Sequence, residues 1–177
     1  MHRLAAVPGS GEGPEGVVYV EQPPAPLLLL SSADTDLATL AALLHREPDR
    51  LGVAVRGLNL ATLEHPAVLD HYLGRSGPHA RLILVRLLGG RGHWSYGLER
   101  LSQWAAGSAG RQLIVVAGTE DQGEDLASLG TVDPDLAIAL GHCLREGGSE
   151  NMGRVLDTLD LLLEGRQAPL PVPLPQA

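Results

Sequence analysis

The sequence predicts a flavodoxin-like, doubly wound α/β fold: a mostly parallel sheet of four to five strands, with helices on both faces and further helices at the C-terminal end. Three observations predict it. Short apolar runs, such as Leu27–Leu30 and the one that dominates Arg81–Leu88, read as strands buried on both faces. Stretches with helical spacing of apolar residues separate these runs, which is the pattern of βαβ units. Loops carrying Ser, Asn or Gly follow the strands, where each unit needs a turn and a helix cap.

Taken in order, Pro8–Gly16 reads as a turn or loop, and Val17–Val20 as a short edge strand stopped by Gln22-Pro23-Pro24. Leu27–Leu30 is the first buried strand. The polar run Ser31–Asp36 then offers caps for a helix over 35–45, whose apolar positions are Leu37, Leu40, Ala41 and Leu44. A second strand is read at Leu51–Val55, with Asn59 in the loop after it. His65-Pro66 opens a helix carrying Val68, Leu69, Tyr72 and Leu73. Arg81–Leu88 is the strongest strand; Gly89-Gly90 follows it, and Trp94, Leu98, Leu101 and Trp104 mark a helix. Gln112–Ala117 is a fourth strand, followed by a polar stretch from Gly118 to Asp125. Helices over 134–145 and 151–164 complete the α/β domain, placed at 27–166 after an N-terminal segment at 1–26. The tail at 167–177 alternates proline with apolar residues and is expected to be extended, like a linker.

Composition narrows the function. With 177 residues, 44% hydrophobic and 19% charged, the chain suits a folded domain with its own core. Phe is absent and aromatics are 3%, so that core is aliphatic. A net charge of -8 argues against nonspecific nucleic-acid binding, which needs a basic surface. The single cysteine, Cys143, excludes an internal disulfide and a multi-Cys zinc site, and fits the cytoplasm. The start has no secretory apolar region, and the longest apolar run is too short for a membrane span.

Ligands of open parallel sheets bind beyond the carboxyl ends of the strands. That rule selects Ser31–Asp34, Arg56–Leu60, Gly89–Trp94 and Gly118–Asp121. The candidate ligand contacts are Gly89, Gly90, His93, Trp94, Ser32 and Asn59. The glycine loop before a helix start offers free N–H donors to a carboxylate or amide. It lacks both the G-x-G-x-x-G spacing and a Gly-Lys-Ser/Thr sequence. His93 suits an anion or a metal, and Trp94 suits stacking on a flat macrocycle.

Each residue also has a structural reading. Glycine serves a tight turn, His93 a cap or surface position, and Trp94 packing against the sheet. His65 is structural, Asp34 and Asp36 serve the helix dipole, and Cys143 is buried and inert. No H-E-x-x-H pair or serine elbow is present, so neither a catalytic residue nor a self-contained metal site is assigned. Gly147-Gly148 ends one helix and Ser149 or Asn151 starts the next, which makes a helix corner or a docking surface.

Several blocks, in order, resemble the cobaltochelatase large-subunit family: Leu28–Leu37, Asn59–Pro66, Leu87–Gly90 with His93–Gly97, Thr131–Pro134, and Arg145–Asn151. Together they cover nearly everything from Leu27 to Leu163. His93 stands where that family commonly has an aromatic residue. The resemblance implies the N-terminal region of a subunit that takes part in ATP-dependent insertion of cobalt into hydrogenobyrinic acid a,c-diamide, in aerobic cobalamin biosynthesis. It implies a complex using cobalt, ATP and Mg. The expected partners are the rest of the large subunit, AAA+-type ATPase subunits and the corrinoid, with no nucleic acid and no membrane. Such large subunits are much longer than this chain, so the fragment alone is expected to be inactive. The alternatives are a scaffold domain without ligand contact, the equivalent part of a magnesium chelatase large subunit, and a free-standing corrinoid-binding flavodoxin-like protein. Ser31–Asp34 lacks the Asp-x-His-x-x-Gly pattern that the last of these wants.

Overall fold

Leu27–Ser31 (β1) forms the inner part of an all-parallel, four-stranded sheet together with Val55–Asn59 (β2), Leu82–Leu87 (β3) and Gln112–Ala117 (β4), in the order β2-β1-β3-β4. The computed structural model describes residues 16–176, so the loop read at Pro8–Gly16 lies, Gly16 apart, outside them. Strand alternation sends Leu28, Leu30, Ile83, Val85, Leu113 and Val115 into one core, and Leu27, Leu29, Leu82, Leu84, Ile114 and Val116 into a second. The first core is covered by Pro66–Ser76 (α2) and Ser95–Ala106 (α3). The second is covered by Asp34–Arg46 (α1), Pro134–Glu146 (α5) and Ser149–Leu163 (α6). Gly123–Ala127 (α4) closes the edge beside β4, giving Leu126 to the first core and Ala127 to the second.

The chain leaves β1 for β2 on one side, then returns past β1 to β3 on the other. This reversal places α1 on one face and α2 and α3 on the opposite one, as right-handed crossovers require. It also opens a crevice at the carboxyl ends of β1 and β3. The register brings Ser31 level with Asn59 on one side and Arg86 on the other.

The predicted fold class is the observed one, with three local corrections. No fifth strand forms among the described residues, since Val18 makes only an isolated bridge. Two prolines remove N–H donors there, and the segment is tied to β2 by side chains instead: Gln22 Nε2 donates to the Gly57 carbonyl (3.0 Å) and Arg56 Nε to that of Pro23 (3.2 Å). Strand β2 begins at Val55, where the strand read at Leu51–Val55 ends, and Asn59 is its last residue. As an edge strand it tolerates Arg56 and Gly57, which interrupt its apolar run. The polar stretch after β4 contains α4.

The tail at 169–176 is extended, and it is bound back to the protein. Asn151, fully buried, donates through Nδ2 to the Gly147 and Leu174 carbonyls (2.7 and 2.8 Å) and accepts through Oδ1 from Leu174 N–H (2.7 Å). Gln176 N–H reaches Glu146 Oε1 at 2.9 Å. Gly148 has φ +86° and leaves no room for a Cβ, which would stand 2.4 Å from Gln176 Oε1. The paired glycines therefore turn the corner between α5 and α6 and also seat the tail. Asn151→Ala is expected to cost about 1–3 kcal/mol, since Leu174 N–H and two carbonyls lose their partner. Amide exchange checks it, with protection at Leu174 and Gln176 lost while the sheet amides stay slow.

Candidate functional site at the carboxyl ends of the strands

A cleft of about 240 Å³ lies beyond the ends of β1, β2 and β3, lined by Ser32, Asn59, Leu60, Ala61, Glu64, Leu87, Leu88, His93 and Trp94. Four of the six predicted contacts thus converge on one site. The βα loops do this directly: Ser32 follows β1, Asn59 ends β2, and His93-Trp94 closes the loop after β3. Leu88, 47% exposed, supplies an open apolar wall.

Gly89 and Gly90 stand behind the cleft and shape it. Gly89 has φ +86°, and a Cβ there would meet the His93 ring at 2.7 Å. The ring therefore folds back over the loop only because residue 89 is glycine. Gln122, from the short 3-10 turn at Glu120–Gln122, holds the loop from the other side: its amide nitrogen donates to the Gly89 carbonyl (2.9 Å) and its oxygen accepts from Gly90 N–H (3.2 Å).

Ser32, Asn59 and Trp94 already commit their polar atoms to local structure, whereas the exposed Glu64 and His93 side chains make no hydrogen bond among the described residues. Asn59 Oδ1 accepts from Ala61 N–H (2.8 Å), capping the 3-10 turn at Leu60–Leu63, and its Nδ2 donates to Asp34 Oδ1 (2.7 Å). Ser32 Oγ accepts from Leu88 N–H at 3.3 Å. Trp94 is 8% exposed, and its Nε1 donates to the Leu63 carbonyl at 3.5 Å. Gly97 lies against the Trp94 ring, 2.1 Å from where a Cβ would be. Trp94 is therefore a packed wall rather than an open stacking face. His93 is exposed. His65 caps α2, its Nδ1 accepting from Ala67 N–H (3.1 Å), while Cys143 is buried and burial pushes its thiol pKa up. Among the described residues no group of three His, Cys, Asp or Glu side chains is placed to hold a metal, and no helix is long and apolar enough to cross a membrane.

On the opposite face of the sheet from the cleft lies a cluster the sequence reading missed. Arg86 Nη1 donates to both carboxylate oxygens of Asp36 at 2.8 Å, and Ser31 Oγ donates to Asp36 Oδ2 at 2.8 Å. All three residues are buried, at 8%, 5% and 0% exposure respectively. The cluster ties the start of α1 to β1 and β3 across the crevice. A signal for it existed in Arg86, a charge inside a buried apolar strand, which requires a partner.

This arrangement defines the class: a doubly wound α/β module with an open cleft at the carboxyl ends of its parallel strands. No family model matches the chain. Two curated relatives do, each described as an aerobic cobaltochelatase subunit CobN. The one from Sinorhizobium sp is 36% identical over 171 residues, covering 97% of this chain and 13% of the relative. The one from Pseudomonas aeruginosa is 36% identical over 154 residues, covering 87% of this chain and 12% of the relative. Among solved structures, the catalytic subunit of cobaltochelatase from Mycobacterium tuberculosis shares the fold, with a TM-score of 0.64 and 23% identity over 85% of this chain and 11% of that one. The chain is thus similar along nearly its whole length to cobaltochelatase subunits named CobN, and spans only about an eighth of the length of these relatives.

Proposed function

We propose that this segment is a binding module of an aerobic cobaltochelatase, contributing one wall of the surface on which hydrogenobyrinic acid a,c-diamide is held while cobalt is inserted. The observation that carries this reading is the 36% identity to two CobN subunits along nearly the whole chain. The ATP dependence, the AAA+-type ATPase partners and a cytoplasmic setting belong to the same proposal. So does the choice of cobalt over magnesium, which the names of the relatives favour.

The cleft sets the manner of contact. At about 240 Å³ it is smaller than the roughly 300–1,000 Å³ of pockets that enclose a small molecule. It therefore takes an edge or side chain of the macrocycle, with Leu88 and the exposed Glu64 and His93 as the available groups.

A scaffold role is the second reading, favoured by the engagement of Ser32, Asn59 and Trp94 in local structure. Titration of the chain with the corrinoid separates the two. The binding reading expects saturable binding that Leu88→Asp weakens about tenfold or more, since the substitution puts a charge on the apolar wall. Absence of binding, with retained affinity for the ATPase subunits, supports the scaffold. In either case the chain with cobalt, ATP and those subunits is expected to give no cobalt-dependent spectral change.

A further inference from the structure

The buried ion pair uses only part of Arg86. Asp36 engages a single nitrogen, Nη1, with both of its oxygens. The opposite edge of the guanidinium, Nε and Nη2, makes no hydrogen bond among the described residues, and Nε is buried without a partner. That edge is the fork that grips an oxyanion through two parallel N–H bonds. An unsatisfied donor on a side chain more than nine-tenths buried calls for a partner.

A second cation faces the same region. Arg145, in the last turn of α5, lies back over Gly141, where a Cβ would stand 3.3 Å from its Nη1. It makes no hydrogen bond or ion pair among the described residues. Burial lowers its pKa, the Glu120 carboxylate counters this, and repulsion from Arg86 lowers it further. Gly141 itself lies against Val116, whose Cβ stands 3.7 Å from where a Gly141 Cβ would be. Val116 is the β4 residue level with Arg86, so the two guanidinium groups sit on one face at the carboxyl end of the sheet and repel one another.

We infer that the Nε–Nη2 edge of Arg86, with Arg145 beside it, is a binding site for a small oxyanion, a carboxylate or a phosphate group. The site lies on the α1 and α5 face of the sheet, whereas the cleft opens on the face of α2 and α3, so the two are separate. An anion there completes the Arg86 hydrogen bonding and relieves the repulsion between the two cations. Glu120 is the competing carboxylate.

The test follows the Arg86 Nε–H resonance of the ¹⁵N-labelled chain during titration with citrate and, separately, inorganic phosphate, at ionic strength held constant with sodium chloride. A saturable shift is expected from at least one of them; citrate alone identifies a carboxylate site, and phosphate alone a phosphate site. Arg145→Gln is expected to weaken the binding about tenfold or more, the loss of one charged hydrogen-bond donor. Glu120→Gln, on the exposed rim, is expected to strengthen it. No saturable shift with either anion overturns the assignment. So does a shift that chloride reproduces, or one that both variants leave unchanged, since each marks an adventitious ion only.

Discussion

Asp36→Ala is expected to destabilise the protein by about 3–5 kcal/mol, because it leaves the Arg86 charge buried with no counter-ion. The figure is large because of where the pair sits. Arg86 is on β3, Asp36 is in the first turn of α1, and both are less than one-tenth exposed. The carboxylate also accepts from Ser31 Oγ, which in turn accepts from Ala33 N–H at 3.0 Å, so the loop between β1 and α1 loosens with it. Chemical denaturation measures the effect. The double variant Asp36→Leu with Arg86→Met is expected to recover most of the loss, since apolar replacement of a whole buried pair is often neutral or better. A single variant costing less than about 1 kcal/mol would place the pair in the range of solvent-exposed ion pairs.

Trp94→Ala is expected to cost about 3–5 kcal/mol, the range for deleting a large buried aromatic side chain. The ring fills the space between Leu63 and Gly97 and forms a wall of the cleft. The substitution therefore damages the cleft and the core together, and loss of ligand affinity in this variant alone does not report stacking. Gly97→Ala probes the same contact from the other side, because its methyl group would overlap the indole, and it is expected to cost about 1–3 kcal/mol. Thermal melts of both variants check the pair. A melt of Trp94→Ala close to that of the parent contradicts the packing role.

The sheet was legible because β1, β3 and β4 are buried on both faces, and so are written as nearly unbroken apolar runs. The start of α2 was equally plain, since His65-Pro66 places a capping side chain and an N–H-free residue where a helix opens. Strand β2 was misplaced by four residues because an edge strand need not be apolar throughout, and Arg56-Gly57 hid it behind the more hydrophobic Leu51–Val55. Helix α4 was too short and polar to show a period. At the site, the loops that converge could be named from the topology rule, but the commitments of their side chains could not. Asn59 reads as a ligand contact until Asp34 and Ala61 are seen to take both ends of its amide. Asp36 reads as a partner for the helix dipole, since Arg86 lies 50 positions away and only the pairing of β1 with β3 brings them together.

The proposed meeting of this CobN-related segment with the corrinoid at the cleft beyond β1, β2 and β3 is tested most directly by mapping backbone amide shifts while the corrinoid is added to the ¹⁵N-labelled chain. Saturable shifts are expected to concentrate at Ser32, Asn59, Leu88 and His93, while the amides of Arg111 and Gln112 at the far end of the sheet stay still. Shifts that avoid those four residues, or no saturable shift at all, contradict it.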